Sequence, residues 1–161
     1  MTVRLDPWGE DDLPLLQGLL GDPVMMEHLG GPEAPEKIVE RHQRYLGFPS
    51  CFRITLDGVG VGWVGYWEHE WEGELIYEMG WSVLPAFQGR GVAAEGIRLA
   101  LDAARASEGP RSVHAFPTPD NGPSNAVCRK LGFTLLGEVK FEFPKGHFGK
   151  SNDWVYDLSA P

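Results

Sequence analysis

Cysteine, long apolar runs and basic side chains are all scarce in this chain. Its 161 residues include only Cys51 and Cys128, which are far apart and form no C-x-x-C pair. This spacing argues against a zinc site and a disulfide framework, and a reducing cytosol is the default compartment. No apolar run approaches the roughly 20 residues of a membrane span, and the acidic start "MTVRLDPWGEDD" lacks the apolar segment of a signal peptide. We therefore expect a cytoplasmic protein without a membrane partner.

Positive charge is in deficit. Fourteen Lys and Arg residues stand against 23 Asp and Glu residues, which gives a formal net charge of -9. Such a chain, without any run of Lys or Arg, repels nucleic acid, so we expect no nucleic-acid partner. The surplus favours a cationic partner, although it can equally serve solubility alone.

Hydrophobic periodicity and turn residues divide the chain into a single series of elements. Helical spacing predicts helices over residues 11–20, 34–45, from the glycine loop to about 107 and 121–131, with a short helical piece over 22–29. Two-residue periodicity predicts strands over residues 2–5, 51–56, 61–71, 74–83 and 112–116, and in "TLLGEVKFEF" and "DWVYDL". No repeat, linker or low-complexity tract interrupts this order. The prediction is one mixed α/β (α+β) domain spanning residues 1–161.

A glycine-rich loop opens the third long helix. The stretch "WSVLPAFQGRGVAAEGI" places Gln88, Gly89, Arg90 and Gly91 where a helix normally has a Ser, Thr, Asp or Asn cap. The first N–H groups of the helix are then left bare, and the macrodipole puts partial positive charge there. Small residues keep the approach open, and Arg90 adds charge. This arrangement is typical of a phosphate-binding helix start.

Two familiar phosphate loops do not fit this stretch. A Walker loop requires G-x-x-x-x-G-K-[ST], and no Lys-Ser/Thr pair follows here. The dinucleotide fingerprint requires G-x-G-x-x-G, a spacing that Gly89, Gly91 and Gly96 do not have. The alternative interpretation is a glycine turn that merely precedes a helix.

The loop and a second motif together resemble one family. Gln88 to Ala93 matches the pattern Q/R-x-x-G-x-G/A, the acyl-CoA pyrophosphate loop of the GNAT superfamily of N-acetyltransferases. The segment "NGPSNAVCRKLGF" (residues 121–133) is similar to the N-x-x-S…K-L-G-F helix of its RimJ/RimL-type branch. "DPVMMEHLGGPEAPE" resembles the entry segment of that branch and "DWVYDL" its closing strand, so the resemblance covers nearly the whole chain.

The resemblance implies a fold and a cosubstrate. The GNAT fold has a central, mostly antiparallel mixed sheet, splayed between its fourth and fifth strands and flanked by helices, and acetyl-CoA wedges into the split without any metal. Phosphates would lie on the backbone of Gln88, Gly89, Arg90, Gly91, Val92 and Ala93. The pantetheine arm would pair with the strand edge near Val83 and meet the helix face of Asn121 and Ser124.

The implied chemistry is direct attack of a primary amine on the thioester. Glu78, within "YEMGW", is the predicted base, because apolar neighbours would bury it and raise its pKa. The alternative is that Glu78 is an exposed strand residue and that His69 or His28 acts as the base. A backbone N–H near Val83 would hold the oxyanion.

Many members of the family have a Tyr at the position of Cys128 to protonate the thiolate. In this chain Ser124 or water would protonate the thiolate, or the thiolate would leave unprotonated. Cys128 is predicted to be a small buried apolar residue.

A run of carboxylates lies where the third and fourth strands turn. "EHEWEGE" contains Glu68, Glu70, Glu72 and Glu74. It is either a docking rim for a cationic acceptor or a solvated turn. Trp63, Trp67, Trp71 and Trp81 recur on the same two strands, as core or as the wall of a cleft.

The sequence thus predicts an acetyl-CoA-dependent N-acetyltransferase acting on a protein N-terminus or a small, cationic amine. The rivals are an acyl-CoA sensor without turnover and an O-acetyltransferase. The identity of the acceptor and the presence of a homodimer stay open.

Overall fold

The computed structural model describes residues 1–142 and 145–160. Within these ranges, the strands are β1 (Val3–Pro7), β2 (Cys51–Leu56), β3 (Val59–Trp71), β4 (Glu74–Val83), β5 (Ser112–Ala115), β6 (Thr134–Glu142) and β7 (Phe148–Asp157). The helices are α1 (Leu13–Leu20), α2 (Pro35–Leu46), α3 (Val92–Ala106) and α4 (Gly122–Leu131). This order is the one predicted from sequence. The predicted strand "TLLGEVKFEF" ends in Phe143, which lies outside the described residues.

The seven strands form one sheet in the order β1-β2-β3-β4-β5-β7-β6. Strand β4 runs parallel to β5, whereas β1–β2, β2–β3, β5–β7 and β6–β7 are antiparallel pairs. The parallel ladder contains only two residue pairs, Tyr77 with Val113 and Glu78 with His114. Beyond Glu78 the edge of β4 therefore has no register partner in β5. This confirms the predicted mixed α/β fold with a sheet that opens between its fourth and fifth strands.

Two tight turns set the register of the meander. Asp57 and Gly58 have φ angles of 50° and 86°, and Glu72 and Gly73 have 50° and 81°. Two successive positive φ values are typical of the two-residue hairpin turn that matches the twist of antiparallel strands. The Asp-Gly and Glu-Gly pairs thus fix which side chains of β3 face those of β2 and β4.

One segment differs from its prediction. Residues 23–30 form hydrogen-bonded turns rather than a helix. The carboxylate of Asp22 accepts hydrogen bonds from the N–H groups of Val24 and Met25, at 2.8 and 3.1 Å. Gly30 and Gly31 then adopt φ angles of 92° and 88°, which end the segment. The two bonds to Asp22 are those of a helix N-cap. After Met26, however, the N–H groups of Glu27 and Leu29 donate only three residues back, to Val24 and Met26, so turns follow instead of a helix.

The chain forms two compact units, and the first comprises Met1–Gly65 and Trp81–Ala100. Its core contains the fully buried Leu16, Leu19, Ile54 and Ile97. Helix α3 approaches β2 closely at Gly96, where a Cβ atom would lie 2.8 Å from Cδ1 of Ile54. This close packing fixes the first turns of α3, and with them the glycine loop that precedes the helix.

The second unit comprises residues 66–80 and the chain from Leu101 onward. The end of α3 and the residue after it pack on one face of this unit's strands: the hydroxyl of Tyr77 lies 2.9 Å from that of Ser107, and Arg105 donates to the hydroxyl of Tyr156 at 3.0 Å. Side chains alternate along a strand, so Glu78 points to the opposite face from Tyr77. The predicted base therefore lies on the face that Arg105 and Ser107 do not cover.

Candidate active site

The loop between β4 and α3 has the backbone that its glycines predict. Gly89 and Gly91 have φ angles of 76° and 78°, a region that favours glycine. A Cβ atom at either position would meet no atom within 4 Å. The glycines are thus required by conformation rather than by crowding, and the space above them is open to a ligand.

The start of α3 leaves its first N–H groups available. The N–H of Glu95 donates to the carbonyl of Gly91 at 3.1 Å, which is the first hydrogen bond of the helix. Across residues 1–142 and 145–160, no partner is found for the N–H groups of residues 89–94. Val92 is buried, whereas residues 88–91 are exposed. A helix of 15 residues therefore presents bare N–H groups to solvent beside an exposed arginine, as an anion site requires.

Gln88 and Arg90 play different parts in this loop. The side-chain amide of Gln88 donates to the carbonyl of Val83 at 2.8 Å and contacts the sulfur of Met25 at 3.4 Å. Gln88 therefore ties the loop to the end of β4. The guanidinium of Arg90 lies 5.8 Å from the ring centre of Phe87 and is exposed, so it is free to approach an anion.

Glu78 occupies a sheltered position on β4. Its carboxylate lies 3.0 Å from Nδ1 of His69, and its side chain is 17% exposed. Burial raises the pKa of Glu78 from 4.5 to about 7, and a hydrogen bond from Trp67 opposes this rise. The direction is the one that its apolar neighbours in sequence predict. A carboxyl group that titrates near neutral pH is suited to general base catalysis.

The three residues singled out on α4 differ in exposure. Asn121 caps the helix, since its side-chain oxygen accepts a hydrogen bond from the N–H of Ser124 at 3.3 Å. Ser124 is half-buried, whereas Cys128 is completely buried. Burial raises the pKa of the Cys128 thiol to about 12. This thiol is a packed apolar group, as the sequence predicts, and stays protonated at neutral pH.

A buried amide next to these residues was missed from sequence. Asn125 donates to the carbonyls of Thr118 and Asn121, and its side-chain oxygen accepts from Asn152 and Trp154. The four bonds are each 2.8 to 2.9 Å long, and the two to Asn152 and Trp154 join α4 to β7. An asparagine inside a predicted helix was the available signal, because such a residue needs a hydrogen-bonding reason to be buried.

A second imidazole–carboxylate pair was also missed. Nδ1 of His114 lies 2.6 Å from Oδ1 of Asp153, and both side chains are less than 10% exposed. The indole N–H of Trp71 donates to the other oxygen of Asp153 at 3.3 Å. His114 is the register partner of Glu78, so the pair lies on the same face of the sheet.

The remaining candidates differ in how exposed their side chains are. Glu68, Glu70, Glu72 and Glu74 are all exposed. His28 pairs with the neighbouring Glu27 at 3.4 Å. Trp63 is buried, whereas Trp67, Trp71 and Trp81 are half-buried.

A cavity of about 430 Å³ in the first unit includes none of the predicted site residues. It is lined by Arg4, Asp6, Asp12, Leu15, Arg53, Thr55, Gly58 and Gly60. Arg53 pairs with both Asp12 and Asp6 across it, at 2.9 and 3.3 Å. These charges compensate one another.

The described residues contain neither a metal cluster nor a membrane-spanning helix. No group of three or more His, Cys, Asp or Glu side chains in residues 1–142 and 145–160 is arranged to hold a metal ion. In the same ranges, no helix combines the length and the apolar character needed to cross a membrane.

Comparison with known proteins gives a family match. Residues 2–134 match the family model described as "Acetyltransferase (GNAT) domain". A curated relative, the uncharacterized N-acetyltransferase YnaD of Bacillus subtilis (strain 168), is 31% identical over 86 residues, which are 53% of this chain and 48% of the relative. The chain thus matches about half the length of that relative.

Solved structures show the same fold over almost the whole chain. A GNAT-family acetyltransferase from Bacillus anthracis has a TM-score of 0.83 at 21% identity, covering 99% of this chain and 97% of that one. The aminoglycoside acetyltransferase AAC(6')-Ib, solved with coenzyme A, has a TM-score of 0.79 at 19% identity, covering 97% and 95%.

Proposed function

Because the chain belongs to the GNAT acetyltransferase family, we propose that it transfers an acetyl group from acetyl-CoA to a primary amine. The amine is carried by a protein N-terminus or by a small molecule, and the chain is of the RimJ/RimL type. The observation that carries the proposal is the loop of residues 88–91, whose two left-handed glycines open the start of a 15-residue helix. The two buried free cysteines agree with a cytoplasmic location.

The loop would hold the pyrophosphate of acetyl-CoA. The N–H groups of Gly89 to Ala93 donate to its oxygens, and the guanidinium of Arg90 adds a positive charge. Gln88 acts mainly by fixing the loop to Val83, to which its side chain is bonded. This assignment agrees with the open space over Gly89 and Gly91.

The pantetheine arm would use the edge of β4 beyond Glu78, which has no register partner in β5. Amide groups of the arm pair with this edge as an added strand would, up to Val83. The side-chain NH₂ of Asn121 donates to the arm, since only its oxygen is engaged in capping α4. The hydroxyl of Ser124 lies one turn further along that helix.

Glu78 would act as the base and Ser124 would assist the leaving group. Glu78 takes a proton from the ammonium group, directly or through water, and the neutral nitrogen forms a bond to the carbonyl carbon. The carbon–sulfur bond breaks, and its electron pair remains on sulfur. The thiolate then takes a proton from Ser124 or from water, and that proton is replaced by the one that the nitrogen loses as the amide forms. A pKa of about 7 lets Glu78 be ionised in a substantial fraction of molecules at neutral pH.

Amine acceptors are also supported by the names of similar proteins. The Bacillus subtilis relative is named an N-acetyltransferase, and AAC(6')-Ib is named an aminoglycoside acetyltransferase. A sensor that binds acetyl-CoA without turnover would have no use for a sheltered carboxylate that titrates near neutrality. An O-acetyltransferase would need a base for a hydroxyl, whose pKa is far higher than that of an ammonium group.

The deciding experiment is thiol release from acetyl-CoA with three acceptor panels: small amines, peptides with free N-termini, and alcohols. We expect release with at least one amine or peptide and none with alcohols. Calorimetric titration with acetyl-CoA runs in parallel. Binding without release under any acceptor would favour the sensor, and release with alcohols alone would favour the O-acetyltransferase.

A further inference from the structure

Four aromatic rings in the second unit form a continuous surface next to Glu78. We call them the aromatic wall: His69 and Trp71 of β3, Phe116 just after β5, and Phe141 of β6. Phe116 and Phe141 stack at 4.3 Å with an interplanar angle of 16°, and Trp71 meets Phe116 edge-on at 4.9 Å. His69 lies 6.3 Å from Phe141 at 29°. Two strands and the segment after β5 thus bring four rings together.

The aromatic wall is only partly covered. All four of its rings are half-buried, although apolar rings of this size are usually covered more completely when they serve only as core. Arg105 of α3 and Ser107 just after it bond to Tyr156 and Tyr77, on the opposite face of the strands. A contiguous aromatic surface with accessible rings is a common mark of a binding site.

Two buried residues hold two rings of the aromatic wall in place. His114 stacks on Phe116 at 5.8 Å with an angle of 20°, and the carboxylate of Asp153 bonds both His114 and the indole N–H of Trp71. The buried pair therefore fixes the orientation of two rings of the wall before any ligand arrives. Such preorganisation favours a rigid, flat ligand, because little side-chain entropy remains to be lost.

The charge at the wall matches a single ammonium group. Glu78 contacts His69 at 3.0 Å and, with 17% of its side chain exposed, is more accessible than Asp153, at 4%. Asp153 is already engaged by His114 and Trp71. Glu68 and Glu70 alternate with Trp67, His69 and Trp71 along β3, so their side chains point to the other face. A polycation would leave its further charges facing aromatic rings instead of carboxylates.

We propose that the aromatic wall binds the body of the acceptor, and that the preferred acceptor is a primary monoamine attached to a planar aromatic group. This proposal rests on the acetyl transfer proposed above. The amine lies at Glu78, and the planar group stacks against Phe141 and Phe116. Phe141 would thus determine specificity without touching acetyl-CoA.

The first test compares two acceptors of similar size with the wild-type enzyme. Phenethylamine and cyclohexylethylamine differ in the flatness and π-character of the ring. We expect kcat/KM for phenethylamine to be higher by about three- to tenfold, the range of one aromatic pair. Spermidine is the polycationic reference and should be the poorest of the three. Equal or reversed preference, or a higher kcat/KM for spermidine, would overturn the proposal.

The second test uses a matched pair of variants on one hairpin. Phe141→Leu removes a ring of the wall, whereas Phe148→Leu makes the same change at an exposed ring on the other face, where it meets Lys140. We expect Phe141→Leu to remove most of the preference for phenethylamine through a higher KM, with the KM for acetyl-CoA unchanged. Phe148→Leu should leave all constants unchanged. Retention of the preference in folded Phe141→Leu would contradict the assignment.

The outcomes separate this proposal from the one on which it rests. Thiol release with aliphatic amines alone would overturn the aromatic acceptor and keep the acetyl transfer. No release with any amine, together with calorimetric binding of acetyl-CoA, would overturn both. The comparison of acceptors needs only the wild-type protein, so it decides even if Phe141→Leu fails to fold.

Discussion

Nδ1 of His69 lies 3.0 Å from a carboxylate oxygen of Glu78, which joins two neighbouring strands at the point where the predicted base is buried. The two residues are nine positions apart, on either side of the Glu72-Gly73 turn. The hairpin places both side chains on the same face of neighbouring strands, and the contact holds the carboxylate beside the imidazole.

Glu78→Gln should flatten the pH dependence of the reaction. The wild-type rate should rise with pH through an apparent pKa of about 7, because the ionised carboxylate is the active form. The variant should lose about 10² or more in kcat at neutral pH and keep its affinity for acetyl-CoA. Glu74→Gln, at an exposed position of the same strand, is the control and should behave as wild type. An unchanged pH–rate profile would place the base elsewhere, with His69 the next candidate.

The same substitution should change how stability depends on pH. The folded-state pKa of Glu78 is raised from 4.5 to about 7, so the folded protein retains this proton over that interval while the unfolded chain releases it. The stabilisation that this proton gives to the folded state is full below pH 4.5 and is lost as pH rises through 7. Glu78→Gln should therefore gain stability relative to wild type between pH 5 and pH 8, by at most about 3 kcal/mol. Urea unfolding at both pH values measures this, and an equal difference at the two would contradict it.

Gly91→Glu should abolish CoA binding while the protein remains folded. The new side chain adds bulk and negative charge where the proposed pyrophosphate lies, and the φ angle of 78° adds about 1 to 2 kcal/mol of strain. Gly58→Glu is the matched control, because its φ of 86° and open surroundings carry the same strain in a turn far along the chain from the loop. Calorimetric titration with CoA compares the two. Unchanged affinity in folded Gly91→Glu would remove the phosphate site from this loop.

Ser124→Ala should lower kcat less than Glu78→Gln does. Water can protonate the departing thiolate when the hydroxyl is absent, so we expect a decrease of less than about tenfold. Cys128→Ala should leave the pH–rate profile unchanged, because burial keeps that thiol protonated and away from solvent. Steady-state kinetics across pH test both. A larger effect at Cys128 than at Ser124 in folded variants would reverse the assignment.

The double substitution Glu70→Gln and Glu72→Gln tests the carboxylate run at the hairpin turn. Both side chains are exposed, and an exposed ion pair contributes at most about 1 kcal/mol. We expect the KM for phenethylamine to stay within about twofold of wild type. A several-fold, salt-sensitive rise in KM for a dicationic acceptor, with kcat unchanged, would instead identify the run as a docking rim.

The sequence identified the parts of the site that depend on local chemistry. The glycines at 89 and 91 predicted a left-handed loop before a helix, and both have positive φ angles. The Asp57-Gly58 and Glu72-Gly73 pairs predicted two hairpin turns, and both pairs adopt the corresponding backbone. Such features can be predicted from sequence because a few neighbouring residues determine them.

Local reasoning was wrong where a short segment can choose between two hydrogen-bond patterns. Residues 22–29 have helical spacing and Asp22 caps their start, yet later N–H groups donate three residues back instead of four, and turns result. In the same way, the pattern around Gln88 did not indicate that its side chain would bond the carbonyl of Val83. Either outcome depends on small free-energy differences between alternative hydrogen bonds.

By itself, the sequence determined the order of the elements, the glycine loop and the candidacy of Glu78, because each follows from residues near one another along the chain. Only the tertiary structure decided which side chains meet across strands: His69 with Glu78, His114 with Asp153 over 39 residues, and Phe116 with Phe141. The β3–β4 hairpin sets the first of these contacts, and the register of β5 and of β6 against β7 sets the other two. The free energy that fixes the register comes from burial of the whole sheet, which no short stretch of sequence contains.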